Sequence, residues 1–186
     1  MILGESATLI DVAFAACTVL DGAGEVAVLC GGSAAAYYVP ERYQSLDVDF
    51  VLQVGAAPHI VNRALAAIGY DRVADGLYRH HALPFTLAFP VGPLAIGRDY
   101  VRSWRTDRRG EQLLRVYTPT DVVRDRFLHF WTWHDRTALE AALAVGRARR
   151  AELDLTAFRL WAQREVAADR SYDPAQVDLF LQLLDR

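Results

Sequence analysis

The chain has 186 residues, of which 53% are hydrophobic and 23% are charged, a composition typical of a folded globular protein and not of a disordered or collagen-like chain. A formal net charge of −3 argues against a surface that is devoted as a whole to nucleic-acid or membrane binding. The sequence contains no lysine, which excludes a lysine phosphate clamp and a Schiff-base lysine.

The N-terminal region and the cysteines indicate the cellular compartment. Glu5 and Asp11 stand at helical spacing without a basic leader, which predicts an amphipathic helix and not a signal peptide. Cys17 and Cys30 both lie in apolar runs, where buried reduced thiols are expected instead of a disulfide or a zinc site. No apolar run reaches the roughly 18 residues of a membrane span. We therefore expect a cytoplasmic protein with no membrane partner.

The first part of the chain alternates helical and strand patterns. A first helix is predicted over residues 6–21, and a short apolar run over 26–30 reads as a buried strand that leads into a short helix ending at Pro40. The run LDVDFVLQ, residues 46–53, alternates polar and apolar side chains, which predicts a strand. The next predictions are a helix over 58–68, strands over 70–74, 77–80, 83–89 and 111–117, and an arginine-rich loop over 92–110.

From residue 118 onward the pattern is helical only. A helix opens at Thr118 and Pro119, residues that favour a helix start, and further helices are predicted over 135–150, 154–168 and 173–184. The sequence therefore predicts an α/β (α+β) fold in two parts. A mixed-sheet core spans residues 1–117, and a C-terminal helical bundle spans residues 118–186.

The clearest chemical motif joins a glycine turn to a pair of carboxylates. Gly31, Gly32 and Ser33 open a helix after a buried strand, and Asp47 and Asp49 share one face of the next strand. Glycines let the backbone approach a ligand closely, and a helix N-terminus offers unpaired N–H groups to phosphate. Two neighbouring carboxylates can hold a divalent cation that is bound to a triphosphate. Each signal alone fits a plain turn or a solvated strand face, but together they predict a nucleotide site.

This order of a hydrophobic strand, a Gly-Gly-Ser turn and a D-x-D strand resembles the DNA polymerase beta-like nucleotidyltransferase superfamily. The run TPTDVVRDRFLHFWTWHDRTALEAA is similar to the helical half of bacterial minimal nucleotidyltransferases related to type IV toxin-antitoxin (AbiEii-like) toxins. The matching positions of that run are Asp125, Arg126, Trp133, Asp135 and Arg136.

The resemblance implies a nucleotidyltransferase that binds an NTP with Mg²⁺ or Mn²⁺ and transfers a nucleotidyl group to an RNA or protein hydroxyl. It further implies an antitoxin partner. Asp47 and Asp49 are the implied catalytic residues and metal ligands. The implied nucleotide-binding residues are Gly31, Gly32, Ser33, Arg126 and Asp135.

Two of these residues also have purely structural interpretations. Arg126 either reaches the triphosphate as a cation or forms an ion pair within its helix, with Asp121 or Asp125. Asp135 either accepts hydrogen bonds from the ligand or caps the helix that follows it.

The sequence departs from the family pattern at the third carboxylate, which a later strand normally supplies. Ala88 stands at that position, and an alanine cannot bind a metal. The alternative to an active transferase is therefore a catalytically inactive protein of this fold that acts as a nucleotide sensor or binds RNA or a partner protein. A third hypothesis is an RNA- or antitoxin-binding module that uses the five arginines between Arg98 and Arg109.

Overall fold

The computed structural model describes residues 3–185. Its helices are α1 (Leu9–Gly22), α2 (Gly31–Tyr38), α3 (Pro58–Ala66), α4 (Pro119–Trp133), α5 (Arg136–Ala148), α6 (Leu155–Ala168) and α7 (Pro174–Leu184). Its strands are β1 (Ala27–Leu29), β2 (Asp47–Leu52), β3 (Tyr70–Ala74), β4 (Leu77–His80), β5 (Thr86–Ala88), β6 (Ala95–Ile96), β7 (Asp99–Tyr100), β8 (Arg105–Arg109) and β9 (Gln112–Val116). The predicted α/β class, a mixed sheet followed by a helical region, is confirmed.

Side-chain caps explain where several helices begin. Thr8 and Asp11 form a capping box at the start of α1, and Thr118 accepts a hydrogen bond from the Asp121 amide at the start of α4. An aspartate caps each later helix, because its side chain accepts hydrogen bonds from first-turn amides. None of the helices between residues 3 and 185 combines the length and hydrophobicity needed to cross a membrane.

The pairing of the strands determines which residues meet at the site. Within the described chain, seven strands form one mixed sheet in the order β3-β4-β5-β2-β1-β9-β8. The central strand β2 is antiparallel to β1 and parallel to β5, and β9 is parallel to β1. The C-terminal ends of β1 and β9 therefore lie at the edge of the sheet where β2 begins. The glycine turn, the carboxylate pair and the start of α4 meet at that edge.

A continuous hydrophobic core joins the sheet to the helices that follow it. Leu29 and Phe50 from the sheet belong to the same buried cluster as Phe127 of α4 and Trp161 of α6. In addition, α4 and α5 both pack on α2. The boundary after residue 117 stays a prediction, and the core extends across it.

The segment over residues 92–110 was expected to be a loop, and this expectation is wrong in part because the segment contains β6, β7 and β8. Strand β8 reads RTDRR and is mostly exposed, so it lacks the alternation by which a strand is recognised. It forms because it pairs antiparallel with β9, from Arg105↔Val116 to Arg109↔Gln112. The connection is a two-residue turn that opens with Gly110 at φ 59°, a typical hairpin arrangement.

Candidate functional site

A cavity of about 380 Å³ opens at the edge of the sheet where β2 begins, which is within the usual size range of ligand pockets. We call it the β2 pocket. The glycine turn and Asp49 form one wall, and helix α4 forms another. The segment 90–93 after β5 forms the rim. The lining residues include Cys30, Gly31, Asp49, Tyr117, Asp125, Arg126 and His129.

The glycine turn presents open backbone amides to this edge. Cys30 is the N-cap of α2 and makes no side-chain cap. The amides of Gly31, Gly32 and Ser33 have no hydrogen-bond partner among residues 3–185, as expected for the first turn of a helix. Gly31 has φ 63°, and a Cβ built on it would lie 2.5 Å from Oδ2 of Asp49. Glycine is therefore required here both by the backbone conformation and by the close approach of the carboxylate.

Ser33 joins the turn to the carboxylate strand. Its side chain is fully buried. Its hydroxyl donates to the Cys30 carbonyl and accepts from the Asp49 amide, both at 2.9 Å. The hydroxyl thereby holds the start of α2 against β2.

Asp47 and Asp49 lie on the same face of β2, since they are separated by one residue. Asp47 is exposed, whereas Asp49 is partly buried inside the β2 pocket. Burial raises the pKa of Asp49 to about 6, and the negative charges of Asp47 and Asp125 add to the rise while Arg126 opposes it. An ionised Asp49 would therefore gain from a bound cation.

The register of β2 and β5 places Ala88 directly opposite Asp49, and Thr86 opposite Asp47. The position of the expected third carboxylate is thus beside the pair, and a methyl group occupies it. Asp99 is not a substitute, because it forms ion pairs with Arg124 and Arg164.

The carboxylate pair fits one hard cation better than two. Within the described residues, no group of three or more His, Cys, Asp or Glu side chains is arranged to hold a metal ion. Mg²⁺, however, is commonly held by one or two carboxylates together with substrate phosphates and water. Asp47 and Asp49 suit that arrangement for a single ion.

Helix α4 brings three polar side chains to the β2 pocket. Arg126 is largely buried and pairs with Asp125 through Nη2 at 2.9 Å, so the intrahelical ion pair is present. The charge of the guanidinium also acts on Asp49, where it opposes the rise in the pKa of that carboxyl. His129 lies one turn further along α4, where burial and the Arg126 charge lower its pKa. The sequence analysis did not select Asp125 or His129 as site residues, although the i, i+4 spacing of 125 and 129 could have indicated a shared face.

Asp135 caps α5, and it is not one of the residues that line the β2 pocket. It accepts hydrogen bonds from the amides of Thr137 and Ala138, so the capping interaction is present. Its second carboxylate oxygen lies 3.5 Å from Nε2 of His129. The cap therefore connects to the pocket through His129.

Tyr43 is a further residue beside the site that the sequence analysis did not select. Its hydroxyl lies over Gly32, where a Cβ would be 3.1 Å from it. Burial raises the pKa of Tyr43, the Arg126 charge opposes this, and the Asp135 and Asp49 charges add to it. No sequence signal pointed to it, because it stands in a polar connection without periodicity.

None of the five arginines between Arg98 and Arg109 lines the β2 pocket. Arg105 pairs with Asp107 and Glu152, and Arg109 pairs with Asp11. Two of the five arginines are thus balanced by nearby acids.

Comparisons with known proteins give few matches. No family model and no curated protein matches the chain. Among solved structures, the chain is similar to the antibiotic-resistance factor ANT(2'')-Ia, with a TM-score of 0.46 and 13% sequence identity, over 87% of this chain and 96% of that chain.

Proposed function

We propose that the chain binds a nucleoside triphosphate together with one Mg²⁺ ion in the β2 pocket, on the nucleotidyltransferase plan that its sequence resembles. One observation carries the proposal. The carboxylate of Asp49 lies against Gly31, and both residues line the β2 pocket, so the N-terminus of α2 and one carboxylate of the pair border the same space.

The amides of Gly31, Gly32 and Ser33 suit the phosphate chain. They are unpaired donors at the positive end of the α2 dipole, and this arrangement binds anions without a lysine. Ser33 acts indirectly in this proposal, because its hydroxyl is engaged in positioning the turn.

The charges around the β2 pocket make a cation necessary. Asp47, Asp49 and Asp125 outnumber the single guanidinium of Arg126, which is already paired with Asp125. A metal-free triphosphate would therefore be repelled. Asp47 and Asp49 would hold a Mg²⁺ ion, which would supply positive charge against the phosphates. Its presence would also favour the ionised form of Asp49.

Ala88 favours nucleotide binding without nucleotidyl transfer. The residue lies opposite Asp49, so no carboxylate of β5 can hold a second ion or position an attacking hydroxyl. Nucleotide sensing therefore ranks above nucleotidyl transfer to an RNA or protein hydroxyl. An antitoxin partner stays a prediction of the sequence resemblance.

Thermal and chemical unfolding with each NTP, with and without Mg²⁺ or Mn²⁺, tests the proposal. At a ligand concentration 100 times Kd, stabilisation of about 2.7 kcal/mol is expected, and only when metal is present. Asp49→Asn should abolish it. Asp71→Asn, a matched change on the exposed face of β3, should not. Equal stabilisation of both variants, or stabilisation without metal, would contradict the proposal.

Transfer is measured separately with α-labelled NTPs, total RNA and cell protein. Label that appears with the wild type and disappears with Asp47→Asn/Asp49→Asn would move the conclusion from sensing to catalysis. Binding without labelling is the expected result.

A further inference from the structure

The end of helix α4 carries an exposed tryptophan, Trp133, close to the β2 pocket. Its exposed fraction is 67%. Trp131, two residues earlier, is buried and stacks on Tyr172 with ring centroids 4.8 Å apart. Packing therefore explains Trp131, and it leaves the exposed indole of Trp133 to be explained. Aromatic side chains are common in the walls of ligand pockets.

Helical spacing places Trp133 on the face of α4 that lines the β2 pocket. Asp125, Arg126 and His129 line that pocket. At about 3.6 residues per turn, they span an arc of about 100° around the helix. Position 133 falls within the same arc, about one turn beyond His129. The rings of Trp133 and His129 are in contact, with centroids 4.5 Å apart. Trp133 thus extends the α4 wall of the pocket toward solvent.

The turn after α4 holds the two rings in place. His134 has φ 54°, and its amide donates to the Phe130 carbonyl at 2.7 Å, which ends the helix directly after Trp133. The chain then turns so that Asp135 caps α5 and also lies 3.5 Å from Nε2 of His129. Asp135 is therefore a positioning residue for the His129 ring.

The chemistry of the two rings suits a flat, uncharged ligand group. Burial and the Arg126 charge lower the pKa of His129, so at neutral pH its imidazole is mostly neutral and binds phosphate poorly. The indole of Trp133 offers a large π-face. Nucleobases stack on aromatic side chains of this kind, and such stacking tolerates every base because every base has a π-face.

We propose that Trp133 stacks on the base of the nucleotide whose phosphates the N-terminus of α2 binds. The proposal rests on the proposed function and deepens it, because it names the residue that distinguishes a nucleotide from an inorganic phosphate chain. The phosphates and the base then contact different elements, α2 and the end of α4. Stacking depends on the face of a base and not on its edge, so all the common NTPs should bind with a similar dependence on Trp133.

Calorimetric titration with Mg²⁺-ATP and with Mg²⁺-tripolyphosphate tests the proposal. Trp133→Ala should weaken ATP binding about 5- to 150-fold and leave tripolyphosphate binding unchanged within about twofold. Trp133→Phe keeps an aromatic face and should recover most of the affinity for ATP. Tyr100→Ala is the matched control, because Tyr100 of β7 is also an aromatic residue with an exposed fraction of 67%. This control should bind both ligands as the wild type does.

The outcomes distinguish the stacking proposal from the proposed function. If the wild type binds ATP but Trp133→Ala binds it equally well, or loses ATP and tripolyphosphate affinity alike, the stacking role is refuted and nucleotide binding stands. A wild type that binds neither ligand refutes the proposed function and the stacking role with it. A wild-type dimer that Trp133→Ala converts to a monomer in sedimentation would also overturn the stacking role, since a second copy would then cover the indole.

Discussion

Gly31→Ala is the most direct perturbation of the candidate site. The substitution has two costs that the structure separates. Placing an alanine at φ 63° costs roughly 1–2 kcal/mol. Its Cβ would also lie 2.5 Å from Oδ2 of Asp49, and turning that side chain about 30° off its rotamer to relieve the contact costs about 0.5–1.5 kcal/mol. The expected loss in the free energy of unfolding is therefore about 1.5–3.5 kcal/mol.

Gly110→Ala is the matched control. Gly110 has φ 59°, and a Cβ there would meet no atom within 4 Å, so only the backbone cost of roughly 1–2 kcal/mol applies. Urea unfolding compares Gly31→Ala with Gly110→Ala. Adding Asp49→Ala and Gly31→Ala/Asp49→Ala completes a double-mutant cycle, which measures the free energy of the clash between the added Cβ and the Asp49 carboxylate. In the double variant the Asp49 carboxylate is absent, so the Gly31→Ala substitution should lower the free energy of unfolding by less than it does in the wild type. If Gly31→Ala and Gly110→Ala destabilise equally, and the cycle shows no coupling, Asp49 does not contact the turn and the site geometry is wrong.

Three further predictions concern the same edge of the sheet. The pKa of Asp49 is raised to about 6 from 3.8, so the folded state holds a proton that the unfolded state releases. The stability of the metal-free protein should therefore fall by about 3 kcal/mol as pH rises from about 4 to 7, and a pH series of urea unfolding should show a flatter profile for Asp49→Asn. Ser33→Ala leaves the buried Asp49 amide without its partner and should lower the free energy of unfolding by about 1–3 kcal/mol; an unchanged urea midpoint would count against the bridge. Ala88→Asp adds a third carboxylate opposite Asp49 and should raise Mn²⁺ affinity at least about tenfold by calorimetry, whereas unaltered affinity would place the cation elsewhere.

Local sequence patterns were sufficient to predict several elements of the fold. The alternation of LDVDFVLQ predicted β2, and Thr118 and Pro119 predicted the start of α4. Such signals depend on side chains within a few residues of one another, so they can be recognised without a fold. The glycine turn and the Asp47–Asp49 pair were found in the same way. Their roles in nucleotide and metal binding stay predictions.

Contacts between residues that are distant in the chain depend on the tertiary fold. Asp125 and His129 join Asp49 because β9 is parallel to β1 and delivers α4 to the edge where β2 begins. The pairing register, and no local pattern, places Ala88 opposite Asp49. Strand β8 likewise exists because β9 offers it a partner, despite its charged and exposed sequence. These contacts join residues far apart in the chain, and their formation depends on sheet order, register and helix packing, which no short stretch of sequence encodes.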